Sequence, residues 1–424
     1  METISSSSYP DASTTTPEIQ SVQETSCVIV GGGPAGAVLA LLLARQGIPC
    51  ILLEAHKDFD RDFRGDTLHP SVMEIMEEIG LAERLLQLRH AKVSQLTFRT
   101  SEGAFTLFDF RRLKSKYPYL TMLPQVDFLE MIMAEAAQYP HFQLVMGANV
   151  QELIEEDGIV QGVRYREQSG WHEIRAHLTV GADGRFSRIR QLAGKEPVKT
   201  SPPIDVLWFR LPCQEGDPEK SIGSTIGGRF LILLKRFDHW QVGYFIPKGS
   251  YQALRQAGLQ AMKESITEVM PELGEGANSW RQRLEYLENW SQVAFLAIES
   301  SRVKRWYQPG LLLIGDAAHV MSPVAGVGIN YAIQDAVVAA NVLAEPLRSG
   351  QVRLKDLAAI QCRREIPTRI IQGFQVLIQR RIVVPALDSK QAFKPPFFLR
   401  IPFLRDLPAR LIGKGVWQVH INSL

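Results

Sequence analysis

The sequence predicts an α/β fold in which a βαβ core is interrupted by a mainly antiparallel β-sheet lobe. A glycine-rich turn lies between two apolar runs near the N-terminus, in "CVIVGGGPAGAVLALLLARQGIPCILLEA". Two later segments, "LTVGADGRFSRIRQLAG" and "LLLIGDAAHVMSPVAGVGIN", place glycine and aspartate at the end of apolar strand-like runs. Between residues 199 and 294 the texture changes to short aromatic strands. A chain of 424 residues exceeds one ordinary compact domain and suffices for two packed ones.

Composition narrows the function classes. Hydrophobic residues make up 45%, charged residues 22%, and the net charge is +2. No strong field therefore points to nucleic acid, and a small-molecule ligand is expected. Cysteines 27, 50, 213 and 362 have no metal-ligand spacing and read as reduced, buried thiols. The Ser/Thr-rich start lacks the apolar core of a signal peptide and reads as a disordered leader over residues 1–25. No later segment reads as apolar for long enough to span a bilayer, so a cytoplasmic location is expected.

Along the chain, "CVIV", the glycine turn, an apolar helix and "CILLE" form a βαβ unit. Apolar residues at 72, 75, 76 and 79 have helical spacing, punctuated by Gly80. "KVSQLTFRTSEGAFTLFDFRRL" alternates and turns at Ser101-Glu102-Gly103, as a hairpin does. Gln125 opens another helix, and strand-like runs lead to Asp183. "VLWFRLP", "RFLILLK" and "HWQVGYFIP", with a helix near "YQALRQAGLQAMKESITEVM", read as an antiparallel lobe inserted into the first. "NYAIQDAVVAANVLAEPL" is a small-residue helix, and beyond residue 385 a Pro-, Phe- and Arg-rich appendage follows.

Chemistry concentrates at three glycine-bearing sites. Gly31, Gly33 and Gly36 satisfy GxGxxG, with Pro34 and Ala35 opening the helix. Gly31 permits the tight turn, Gly33 lets a pyrophosphate approach the backbone, and Gly36 lets helix and strand pack closely. The phosphates would lie on the helix N-terminus, where free N–H groups favour an anion. Glu54 ends the second strand, where a carboxylate accepts from ribose hydroxyls. The second site is Asp183-Gly184-Arg185, which alone is equally an Asp-Gly turn. The third is Asp316 with the loop to Asn330; alone, Asp316 is a helix cap and Gly326 and Gly328 are loop punctuation.

In this order and spacing, GGGPAG with Glu54, GADGRFSRIR and GDAAHVMSPVAGVGIN resemble the FAD-dependent aromatic hydroxylases, the class A flavoprotein monooxygenases typified by para-hydroxybenzoate hydroxylase. The resemblance runs from about Cys27 to residue 345 and implies a Rossmann-like FAD-binding domain of that enzyme's type. It implies that Gly31, Gly33, Pro34, Ala35 and Gly36 hold the FAD pyrophosphate and Glu54 the adenosine ribose. Arg64 and Gln125 match residues beside the cofactor, and Asp183 belongs to the motif linking FAD binding to NAD(P)H use. Asp316 matches the acid on the ribityl chain, and Pro323, Gly326, Val327, Gly328, Ile329 and Asn330 pass along the flavin ring, with Pro323, Gly326 and Gly328 nearest the chemistry. The loop would offer backbone N–H groups to the flavin's N1–C2=O edge, stabilising negative charge.

The implied reaction takes electrons from NADH or NADPH, uses O2 and hydroxylates an electron-rich, usually aromatic small molecule through a flavin C4a-hydroperoxide. Residues 26–92, 118–198 and 295–384 would form the FAD-binding domain, 93–117 and 199–294 the substrate-binding sheet, and 385–424 the appendage. Substrate candidates are Trp208, Arg210, Trp240, Tyr244 and Phe245, of which strand alternation lets only some face inward. His69 and His319 are candidate polar contacts near the flavin.

Rival readings are a flavin-dependent halogenase, a flavin-dependent reductase of isoprenoid double bonds, and a non-catalytic FAD- or ligand-binding protein. The halogenase signature WxWxIP is not met by "HWQVGYFIP". The tail "FKPPFFLRIPFLRDLPARLIGKGVWQV" interleaves apolar and basic residues as a membrane-surface segment does, but its prolines break it, favouring packing over the FAD domain.

Overall fold

A computed structural model describes residues 18–60, 66–200, 202–217, 221–270, 280–388 and 406–422. Among them, strands Ile19–Val30, Cys50–Glu54, Phe142–Met146, Gly170–Gly181 and Leu311–Leu313 lie parallel in one sheet. Ile159–Glu167 and Asn149–Glu156 extend it by antiparallel pairing. The runs of Val, Ile and Leu in the central strands are buried, as expected where helices cover both faces. The Pro34–Arg45 helix is apolar nearly all round, and its residues Ala35 to Ala44 are buried between this sheet and the long Gly328–Arg348 helix.

The first strand begins at Ile19, so the disordered leader does not extend to residue 25. Its N-terminal half alternates exposed and half-buried residues while pairing with Trp171 to Ala176. The ladder bonds and β-favouring Val and Thr residues order it without a buried face.

The second sheet runs, in spatial order, Ala294–Ala297, Ile204–Pro212, His239–Pro247, Arg229–Lys235, Ser221–Ile226, Gln95–Thr100 and Gly103–Asp109. The hairpin of residues 95–109 is its edge, joined through a parallel pairing with Ser221–Ile226. Helices Tyr251–Ala257, Leu259–Thr267 and Trp280–Leu284 lie near the face opposite the first domain. The helix expected near residues 251–270 is broken at Gly258, whose φ of +94° ends one segment and starts the next.

One stretch, Val324–Arg348, is long and apolar enough to cross a membrane by length and composition, contrary to the reading that no segment is. Most of it is buried, so its apolarity serves the core. Among the cysteines, Cys27 and Cys50 are buried, Cys213 is half-buried and Cys362 is exposed; all four are free.

The C-terminal Leu407–Gly413 helix bridges the two lobes, with Gly413 close to Leu113, Phe110 and Pro70. His420 and Ile421 bond Glu78 on the helix Pro70–Glu78. Most of the proline-broken stretch of the tail, residues 389–405, lies outside the described residues.

Candidate active site

Four of the five parallel strands described in the first sheet carry the three sequence motifs and Glu54 at their carboxyl ends. Val30 is in register with Leu53 and Gly181, and Gly181 with Leu313. Gly31 N–H then bonds Leu53 O at 2.7 Å, Ala182 N–H bonds Val30 O at 2.8 Å, and Ile314 N–H bonds Gly181 O at 3.0 Å. This brings Gly31, Glu54, Asp183 and Asp316 together at the carboxyl ends of the strands, where open α/β sheets bind ligands.

The glycine turn is built for contact on both sides. Gly31 has φ +107°, and a Cβ there would lie 2.5 Å from Ala182 O. A Cβ on Gly36 would lie 2.0 Å from Gly31 O, so the helix packs directly on the turn. Gly33, the N-cap of the Pro34–Arg45 helix, has nothing within 4 Å of its Cβ position, and the first turn carries no acidic residue. The positive helix end therefore faces open space. Buried Glu54 accepts from Gly32 N–H at 2.8 Å and His56 N–H at 3.0 Å, which fixes its carboxylate beside the turn.

Asp183 uses its carboxylate within the protein: it accepts from Ile189 N–H at 3.0 Å and from the Ser187 hydroxyl, capping the Arg188–Leu192 helix. Burial holds its pKa above the ordinary carboxylate value. Arg190 on that helix ties the second motif to the third, donating to Arg185 O at 2.8 Å and Ala317 O at 3.0 Å. Asp316 itself is half-buried in the Gly315–Ala317 turn.

Behind this turn lies fully buried Asp335. It accepts from Gly315 N–H at 3.0 Å and Arg364 Nε at 2.7 Å, and meets His319 Nε2 at 2.6 Å. His319 is thus a structural partner of Asp335, with Trp306 packed against its ring at 4.9 Å.

The loop after Pro323 holds a strained backbone. Ala325 and Gly326 have φ +67° and +61°, and the left-handed region is costly for alanine. Bracing comes from both sides. Gln375 Nε2, on the Leu354–Ile378 helix, donates to Ser322 O at 2.7 Å and Val324 O at 2.8 Å, and Gln379 Nε2 donates to Ser322 Oγ at 2.7 Å. Asn330 donates to Thr67 O at 2.9 Å and Gly326 O at 3.0 Å and accepts from His69 N–H at 2.7 Å. Its backbone N–H bonds Val327 O, so Asn330 positions the loop and has no donor left for a ligand. The preceding amides of Val327, Gly328 and Ile329 open the helix, where backbone N–H groups lack intrahelical acceptors. His69 links this loop to the C-terminus: its Nδ1 meets Ile412 O at 2.8 Å, while Nε2 is buried without a partner. Burial lowers its pKa to about 4, against opposing bonds to backbone carbonyls.

The second sheet presents two faces, and strand alternation divides the substrate candidates between them. Trp208, Phe230 and Phe245 lie on the inner face, in one apolar cluster with Met321 and Val327 of the ring loop. Arg210 is paired across from Gln241 at the exposed end of the same strand. Trp240 and Tyr244 are on the opposite face and are corrected as substrate contacts. Trp240 Nε1 donates to Asp217 at 2.7 Å, and Tyr244 OH pairs with Ser265 at 2.8 Å beneath the outer helices. Gln125 starts the Gln125–Ala136 helix, which packs on Pro34–Arg45, and Arg64 lies outside the described residues.

Sequence reasoning missed Asn330's bracing role, Arg190, Asp335, Arg364, Gln375 and Gln379. Asp335 had a signal, as a lone carboxylate within the apolar run "NYAIQDAVVAA". Arg190 and Arg364 lie beside other charged residues, and Gln375 and Gln379 are uncharged residues in the run "IIQGFQVLIQ", so none of these stands out in the sequence.

The residues present fit an FAD. An open glycine N-cap, a buried carboxylate at the second strand end, a half-buried Asp316 and a helix start at Gly328 complement, in turn, a pyrophosphate, a ribose, a ribityl chain and an electron-rich ring edge. Comparison with known proteins agrees. Residues 24–373 match the family described as FAD binding domain. The chain is 34% identical over 406 residues to 6-methylpretetramide 4-monooxygenase of Streptomyces rimosus, covering 94% of each. Its fold is that of PqsL, a probable FAD-dependent monooxygenase from Pseudomonas aeruginosa, with TM-score 0.73, 19% identity, and 87% and 98% of the two chains covered. It is also that of p-nitrophenol 4-monooxygenase PnpA from Pseudomonas putida DLL-E4, with TM-score 0.71, 18% identity, and 92% and 94% covered. The chain belongs to the FAD-dependent aromatic hydroxylases, and it is an oxidoreductase.

Proposed function

We propose that the protein is an FAD-dependent monooxygenase that takes electrons from NADH or NADPH and uses O2 to hydroxylate an aromatic, largely apolar small molecule. The observation that carries this is the meeting of the three motif-bearing strand ends with the apolar inner face of the second sheet, through Met321 and Val327. Relatives named for 6-methylpretetramide and p-nitrophenol support an aromatic substrate.

FAD, when bound, supplies the redox chemistry, taking hydride from the nicotinamide and activating O2. The chain's residues do the rest. The amides at the start of the Pro34–Arg45 helix take the pyrophosphate, Glu54 accepts from ribose hydroxyls, and Asp316 accepts from the ribityl chain. The Val327, Gly328 and Ile329 amides, at a positive helix end, oppose negative charge that builds on the ring. Trp208, Phe230, Phe245 and Val327 exclude water from the face where substrate lies. Ring stacking supplies the selectivity: Phe230 stacks on Phe98 at 5.3 Å and meets Phe245 edge-on at 5.0 Å, an apolar wall for a planar ring system.

The test is O2 uptake and product mass with purified, FAD-loaded protein, NADH or NADPH, and a panel of phenolic and fused-ring compounds. Substrate-stimulated O2 uptake with a product one oxygen heavier is expected. Anaerobic NAD(P)H-dependent saturation of an alkene would instead assign a reductase, and no turnover of either kind a binding protein.

A further inference from the structure

The Leu354–Ile378 helix and its continuation to Ala386 mix polar and apolar residues on both the buried and the solvent side. The buried side carries Gln361, Arg364, Thr368, Gln375 and Gln379 among its apolar residues. Several of these brace the ring loop and Asp335, as described above. The solvent side, followed at helical spacing, carries Arg363, Ile366, Arg369, Ile370, Gly373, Leu377, Arg380, Arg381 and Val384. Ile366, Ile370, Leu377 and Val384 are 46%, 44%, 46% and 38% exposed. No carboxylate lies on this strip; Glu365, at its border, pairs with Arg369 at 3.3 Å. Among the described residues, Arg363, Arg380 and Arg381 have no acidic partner. A solvated helix face ordinarily mixes both charge signs and excludes large apolar groups. An apolar groove beside Leu107, Phe374 and Pro408 opens along the same strip.

We propose that this strip docks the protein onto an anionic lipid surface. Apolar side chains spaced among arginines are the chemistry of an interfacial helix: the former enter the headgroup boundary and the latter meet lipid phosphates. Charge complementarity selects this occupant over a second copy of the chain. A two-fold self-contact would set arginine strip against arginine strip with no carboxylate between them. The sequence that follows has Asp388 and then Lys390, Lys394, Arg400 and Arg405, with no further acidic residue before Asp406. The buried side of the same helix holds the ring loop, so the docked face and the candidate active site share one rigid element.

The experiment is flotation of the full-length, FAD-loaded protein with vesicles of phosphatidylcholine alone and of phosphatidylcholine mixed with phosphatidylglycerol. Binding to the mixed vesicles only, released by salt, is expected. The double variant Arg380→Gln/Arg381→Gln should weaken partitioning roughly 30-fold, from about 1 kcal/mol per basic residue near the surface. Ile370→Glu/Leu377→Glu should abolish it, with flavin content and thermal midpoint checking that both variants fold. Negligible binding to both vesicle types overturns the proposal, as does binding that both variants leave unchanged. Self-association lost in Ile370→Glu/Leu377→Glu, without lipid binding, would assign the strip to a second copy instead.

Discussion

The Asp335 carboxylate accepts a hydrogen bond from the Gly315 amide at 3.0 Å, one residue before Asp316. Because Asp335 also meets His319 and Arg364, one buried charge fixes both ends of the turn that carries Asp316.

Replacing Asp335 by Asn would leave Arg364 buried without its counter-charge. A loss of about 3–5 kcal/mol is expected in urea unfolding, as for a broken buried ion pair. Flavin retention in gel filtration should fall with it. Burial alone would raise the Asp335 carboxyl, but the charges of His319 and Arg364 outweigh it and hold it below its ordinary value. Its contribution is therefore present above the usual carboxylate range and is lost only as pH falls through that lowered value. Unfolding stability in the Asn variant should lack this acid limb.

Asn330→Ala would remove the bonds to Thr67 O, Gly326 O and His69 N–H. Each buried group left unpaired costs about 1–3 kcal/mol. The ring loop should lose its set position. If the amides of residues 327–329 act as proposed, peroxide released per NAD(P)H consumed should rise while FAD content changes little. Unchanged coupling would count against the positioning role.

Ala325→Gly should stabilise the chain by about 0.5–1 kcal/mol, since glycine occupies φ +67° without the alanine penalty and gives back part of the gain as chain entropy. Thermal unfolding of the two proteins side by side measures this. Ala325→Val should shift stability in the opposite direction.

His69 is neutral when folded down to pH about 4, whereas in the unfolded chain it takes a proton near 6.5. The unfolded state thus binds more protons between these values, and stability falls as pH drops from 6.5 to about 4. The shift is worth about 3 kcal/mol. In His69→Gln that part of the pH dependence of urea unfolding should vanish.

Trp208→Ala should raise the substrate KM on the order of ten-fold through lost apolar contact. Trp240→Phe, which removes the donor to Asp217, should cost about 1–2 kcal/mol of stability and leave KM alone. A reversed pattern in steady-state kinetics would invert the assignment of the two sheet faces.

The sequence by itself determined the glycine turn, the strand-ending residues Glu54, Asp183 and Asp316, and the two-lobed α/β class. These are local: a tight turn, a positive φ or a strand end restricts the residue types at consecutive positions, and the restriction is legible in one stretch of chain. Tertiary structure decided what depends on partners distant in sequence. Trp208 and Trp240 look alike in aromatic strands, and only the register between Ile204–Pro212 and His239–Pro247, with the helices on one side, shows which faces the ring loop. Asp335, Arg364 and His319 come together from three elements, and the glutamines behind Pro323 come from a helical element that buries polar residues among apolar ones. A hydrophobic period reports burial, not hydrogen bonding, so a buried face built on polar side chains leaves no periodic trace until the chain is folded.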